Sequence, residues 1–192
     1  MWDNQFDDTV FPHLRDDESY RAFVEKVSET ESSMLLVDRD AKHAAILLTR
    51  LFQLSRQSVD ILTGRLDDRV YGTRELMDAC IEFLNANQDA RLRILSEMRI
   101  APQHPLLKRI QDEGFSDRLE ISLVPDNLRP GYHLAVGDAL HFRFEPNGEV
   151  TEAFVKFGDR VDGSRLQSAF DSLHNAVREY EGERAQELVD SD

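Results

Sequence analysis

Tyr132-His133-Leu134-Ala135-Val136-Gly137-Asp138-Ala139-Leu140-His141-Phe142-Arg143-Phe144-Glu145 is the stretch that decides how this 192-residue chain is read. Two short runs rich in apolar and β-prone residues, 132–136 and 139–145, flank Gly137-Asp138. Small and acidic residues between two such runs specify a tight turn, so the stretch predicts an antiparallel hairpin. His133 stands near the start of its first strand.

Upstream of the hairpin, strands and helices alternate. Residues 119–124 and 91–96 alternate polar and apolar side chains, the period of a half-buried strand. Ser58-Val59-Asp60-Ile61-Leu62-Thr63 predicts a further strand stopped by Gly64, and 34–37 a short one before it. Helical stripes separate these runs. Tyr20, Phe23, Val24 and Val27 follow an Asp17 cap, and Ala44, Leu47, Leu48, Leu51 and Phe52 follow Asp40. Leu76, Ala79, Cys80, Phe83 and Leu84 follow Thr73, which places the thiol in a core stripe. Pro105 opens a helix carrying Leu106, Leu107 and Ile110, and Gly114 ends it. Downstream of the hairpin come a strand at 152–157 and a helix in which Leu166, Ala169, Phe170, Leu173, Val177 and Tyr180 share one face. The pattern predicts one α/β domain over 16–180. Its mixed sheet has helices on both faces, a late antiparallel hairpin and a long C-terminal helix.

Charge is concentrated at the ends of the chain. The net charge is −14. Residues 1–31 carry −6 of it and residues 179–192 carry −5, so the middle is nearly neutral. The expectation is an acidic arm at 1–15 and an acidic tail at 181–192, both repelling a phosphate backbone. No apolar run approaches the roughly 18–20 residues of a membrane span. The start of the chain is acidic and does not read as a secretory signal. The single cysteine cannot form an internal disulfide, and the default is a cytoplasmic protein with no membrane association.

The order of elements from about residue 40 to 178 resembles the phospholipase-D-like superfamily, in a bacterial branch with a degenerate motif. Helix 41–54 feeding 59–63, the unit around His104-Pro105-Leu106-Leu107, the hairpin and the segment Ala153-Phe154-Val155-Lys156-Phe157-Gly158-Asp159 all fall where that family has its counterparts. The resemblance implies that the hairpin should carry H-x-K-x-x-x-x-D. In active members the histidine attacks phosphorus, the lysine holds phosphate oxygens and the aspartate orients the histidine. Here His133 takes the nucleophile position, Ala135 the lysine position and Leu140 the aspartate position. Asp138 falls two residues early, and Phe157-Gly158-Asp159 replaces the asparagine segment. No confident catalytic residue remains, and His133 is a vestigial candidate.

Other motifs are sparse. No glycine-rich phosphate loop or G-x-S-x-G elbow is present, and the histidines lack metal-ligand spacing. No cofactor and no metal are implied. His104, His133, Asp138 and Arg143 are the pocket candidates. Arg91, Arg93, Arg99, Lys108 and Arg109 could form an anion- or nucleic-acid-binding patch, although no aromatic residues are interleaved with them. The expectation is a noncatalytic phospholipase-D-like domain acting as a protein-interaction or regulatory module. It would have an unidentified protein partner, or a second copy meeting it through the motif face as active relatives do. The alternatives are a phosphodiesterase or nuclease using His133 in an unusual dimeric site, and a nucleic-acid-binding module using the 91–109 arginines.

Overall fold

A computed structural model describes residues 16–30, 34–38, 40–147 and 152–189. The expected arm at 1–15 lies outside the described residues. In chain order the elements are α1 (Asp17–Glu29), β1 (Leu36–Asp38), α2 (Ala41–Leu54), β2 (Ser58–Thr63), α3 (Asp68–Tyr71), α4 (Arg74–Ala86) and β3 (Arg91–Ser96). They continue with α5 (Pro105–Asp112), β4 (Leu119–Leu123), β5 (His133–Gly137), β6 (His141–Glu145), β7 (Ala153–Lys156) and α6 (Arg160–Val189). The seven strands form one sheet in the order β1-β7-β6-β5-β2-β3-β4.

Connection length sets strand direction. The helices α4 and α5 supply the long crossovers that parallel neighbours need, so β2, β3 and β4 run parallel. The short turn at 138–140 forces β5 and β6 antiparallel, and the antiparallel pairing continues through β7 to β1. Both central residues of that turn have positive φ, 54° at Asp138 and 52° at Ala139, the geometry that suits the twist of a hairpin. The first turn of α6 packs against it. A side chain at Gly163 would meet the Ala139 carbonyl oxygen at 2.5 Å, so only glycine fits there.

Each sheet face buries its own core. Val59, Ile61, Leu92, Ile94, Ala135 and Val155 lie beneath α1, α2, α4 and α5. Leu62, Leu95, Leu134, Val136 and Phe142 lie beneath Phe170 and Val177 of α6. Each fully buried Leu, Val or Phe contributes roughly 1.5–3 kcal/mol, so these two layers are the main source of stability. Cys80 is completely buried in the first core, and burial pushes its thiol up to about 12.

Element ends differ from the sequence reading in several places; Gly137, read as part of the turn, belongs to β5. Asp16, rather than Asp17, caps α1 by accepting from the Ser19 N–H at 2.9 Å. Thr73 is the N-cap residue of α4, but its hydroxyl donates to the Val70 carbonyl and makes no capping hydrogen bond. The last helix runs past Tyr180 to Val189, into the stretch read as a tail. Residues 181–186 are exposed there. Glu, Ala, Arg and Gln are strong helix formers, so the helix persists without a buried stripe.

Candidate functional site: the His133 cleft

Strand pairing puts His133 at the mouth of a cleft. Leu134 of β5 lies opposite Leu62 of β2, so His133 stands beside the C-terminal end of β2. Clefts in α/β sheets form at the C-terminal ends of parallel strands. The cleft here holds about 600 Å³ and is walled by the start of α2, the segment around α3 and the paired ends of β5 and β6. Gly64 ends β2 against the imidazole; a side chain there would meet the ring at 3.2 Å.

Side-chain alternation gathers the polar groups on one face. His133 and Ala135 share a face of β5, and their partners on β6 are Glu145 and Arg143 respectively. Val155 of β7 pairs with Arg143 and with Leu36, and Asp38 lies two residues along β1 from Leu36, on the same face. The guanidinium of Arg143 grips Asp38 with two bonds, Nε to Oδ2 at 2.8 Å and Nη2 to Oδ1 at 3.2 Å. Its Nη1 donates to Glu145 Oε2 at 3.0 Å. Glu145 Oε1 lies 3.4 Å from His133 Nδ1, and Glu97 Oε1 lies 3.8 Å from His133 Nε2. Both ring nitrogens therefore face a carboxylate.

The electrostatics follow from burial and pairing. Asp38 is fully buried; burial pushes its carboxyl up and Arg143 reverses this only in part. Burial also works against the Arg143 charge, yet Asp38, Tyr71 and Glu145 hold that group above the ordinary arginine value. Burial would raise Glu145, but the hydrogen bond with His133 and the Arg143 charge outweigh it and hold the carboxyl below its usual range. Tyr71, on the cleft wall, has its phenol pushed up to about 12 by burial. The one guanidinium in this cluster is thus committed to two carboxylates.

Of the pocket candidates, only His133 and Arg143 come together. Asp138 is at the opposite end of β5. Its carboxylate accepts from the backbone N–H groups of Arg56, Gln57 and Ser58 at 2.6, 2.8 and 2.9 Å, tying the hairpin turn to the start of β2. His104 caps α5, its Nδ1 accepting from the Leu106 N–H at 3.2 Å. Its Nε2 lies 3.1 Å from the Leu66 carbonyl and 2.9 Å from Asp68. Asp67 caps α3 and pairs with Arg69, whose hydrogen bond holds the carboxyl down at about 2. His141, read as an outward strand residue, is buried, and its Nδ1 accepts from the Gly158 N–H. Gly158-Asp159 serves the start of α6, where Asp159 accepts from the Asp162 N–H at 3.0 Å.

The basic candidates are dispersed. Arg91 is the first residue of β3 and Arg99 lies in the loop beyond its last, Ser96. Arg93 turns to the α6 face and binds Asp60 and Asp171. Lys108 and Arg109 ride on α5 on the other face, and Arg109 pairs with Asp78 and Glu113. Sequence proximity grouped these residues, but alternation along the strand and the crossover to α5 separate them. Asp38, Glu97 and Glu145 escaped the sequence reading. The signal that could have found Glu145 is its parity with Arg143 and its place opposite His133 in the hairpin. Among the described residues no group of three or more His, Cys, Asp or Glu is placed to hold a metal ion.

Fold and cleft together define a mixed α/β domain with a histidine held between carboxylates at the end of its parallel strands. The chain belongs to the family described as a domain of unknown function, DUF7931, whose model matches residues 28–184. No curated protein matches the sequence. Among solved structures, it is similar to TrmBL2, an archaeal chromatin protein with a novel mode of DNA binding, at TM-score 0.52 and 14% identity. That likeness covers 88% of this chain and 63% of TrmBL2, so the chain spans less than two thirds of that protein's length. NucT from Helicobacter pylori aligns at TM-score 0.48 and 12% identity over 74% of this chain and 94% of NucT. The likeness to TrmBL2 shows a shared fold. No helix among the described residues is long and apolar enough to cross a membrane.

Proposed function

We propose that this chain is a noncatalytic phospholipase-D-like domain that acts as a protein-interaction or regulatory module. The observation that carries this reading is the Glu97 carboxylate, 3.8 Å from Nε2 of His133. A phosphodiester approaching Nε2 must bring its negative oxygens up to Glu97. Two like charges about 4 Å apart repel by roughly 4 kcal/mol at an effective dielectric constant near 20. Phosphoryl transfer needs the opposite arrangement, cations on the developing charge. The position opposite Arg143 is Ala135, which has no charge to offer, and Arg143 itself is spent on Asp38 and Glu145.

Hydrolysis of bis(4-nitrophenyl) phosphate and of single- and double-stranded DNA tests the reading. Wild type and His133→Ala should both stay at the buffer rate across pH 5–9. Turnover by the wild type that disappears in His133→Ala would establish the phosphodiesterase alternative instead.

A further inference from the structure

β4 forms an outer edge of the sheet, and among the described residues no further strand pairs with it. The Val124 N–H donates to the Ser96 carbonyl on β3 at 2.8 Å. Alternation along the strand then turns the N–H and C=O groups of Leu119, Ile121 and Leu123 away from β3, toward the free side. Among the described residues, no hydrogen bond from a turn or loop reaches the backbone of Ile121 or Leu123. Soluble proteins guard such edges with lysine, proline, a bulge or a covering segment. Leu119-Glu120-Ile121-Ser122-Leu123 contains neither lysine nor proline. The opposite edge, β1, is only Leu36–Asp38.

Exposed apolar surface concentrates beside the same edge. Five large apolar side chains are exposed among the described residues, and three of them, Met98, Ile121 and Leu123, border one groove of about 560 Å³. Ile100 and Leu107 line the rest of its apolar wall. An open strand edge and an apolar groove on one side of it are the two halves of a strand-addition site.

We propose that the occupant is a second copy of this chain, whose β4 pairs antiparallel with the first across a twofold axis at Ile121. The strand is self-complementary in that register. Ile121 faces Ile121 of the second copy and Leu119 faces Leu123, and these are the residues whose N–H and C=O groups point outward, so each pairing is a hydrogen-bonded one. Glu120 falls opposite Ser122 and not opposite the second copy's Glu120. The Glu120 carboxylate is already paired on its own α6, with His174 at 2.9 Å and Arg178 at 3.4 Å. The two grooves meet across the axis and cover each other's Ile121 and Leu123. The groove shares Met98 with the wall of the His133 cleft, but the pairing does not depend on how that cleft is read.

Sedimentation equilibrium of the full chain tests the pairing. The wild type should have the mass of two chains at tens of micromolar, and Ile121→Arg should have the mass of one. Placing two arginines face to face on the axis should weaken association by at least about 100-fold. Ile121 is 40% exposed, so the circular dichroism and melting temperature of that variant should match the wild type. Ile121→Cys gives a second measure. Hydrogen-bonded antiparallel partners have Cα atoms about 5.5 Å apart, so a short bis-maleimide should join two such chains into a covalent dimer. The only other cysteine, Cys80, is buried. A wild type that stays monomeric, a dimer that survives Ile121→Arg, or Ile121→Cys that fails to cross-link would overturn the proposal. A dimer broken only by substitutions around His133 would place the contact on the motif face instead.

Discussion

Two arginine–carboxylate clusters lie on opposite faces of the same sheet, and they have different surroundings. On the α6 face, Asp60 is fully buried and sits directly across from Arg93 in the β2–β3 register. Arg93 binds it at 2.6 and 2.9 Å and reaches Asp171 of α6 at 2.7 Å. Gln167 donates to Asp60 at 2.6 Å, and the guanidinium lies 5.0 Å from the centre of the Phe170 ring. On the other face, Asp38 is equally buried and equally gripped, but Arg143 reaches it from across β7, where Ala153 and Val155 stand between. The chemistry is the same. The first cluster fastens α6 to the sheet and is partly exposed at Asp171. The second is the more deeply buried, but through Arg143, Glu145 and His133 it lines a cleft. A buried ion pair is therefore no marker of function by itself; what distinguishes the two is the cavity that the second one lines.

The largest expected effect separates the two clusters by their redundancy. Arg143→Met should destabilise the fold by about 3–5 kcal/mol, because it leaves Asp38 buried with its carboxylate uncompensated. Arg93→Met leaves Asp60 with the Gln167 amide still donating to it, so its loss should be smaller, nearer about 2–3 kcal/mol. Urea unfolding of both variants at neutral pH measures the difference. Equal losses would mean that the amide contributes nothing and that the clusters are energetically alike.

Much of this was legible in the chain. β2 and β3 have the bounds that their sequence patterns predicted, and the hairpin, the Asp40 cap and the long last helix follow from local pattern. The clusters were not legible, because each joins strands that are far apart in sequence. Asp38 and Arg143 are 105 positions apart, and nothing local to either announces the other. The 91–109 arginines show the converse error: nearness in sequence suggested a patch that strand alternation dissolves. Asp138 shows a third case. A carboxylate two residues off a catalytic position invites a functional reading, yet three backbone N–H groups from 56–58 claim it, and only the folded topology brings them there.

The smallest expected effect tests whether the cluster that lines the cleft responds to solvent as a cleft should. The hydrogen bond with His133 and the charge of Arg143 hold Glu145 below its usual range. A carboxyl depressed in the folded state contributes stability at pH values above its unfolded value, 4.5 here, and that contribution is lost as pH falls through the folded value. Glu145→Gln removes the ionisable group while keeping an oxygen that accepts from Arg143. The variant should be less stable at pH 7 by on the order of 1 kcal/mol, the difference between a charge-assisted and a neutral hydrogen bond. The gap should hold from pH 7 to about pH 5 and close below pH 4.5, as the wild-type carboxyl takes up its proton. Urea midpoints measured every half unit from pH 3 to pH 7 give that curve. A gap that widened on acidification would mean that burial, and not the pairing with His133 and Arg143, governs Glu145.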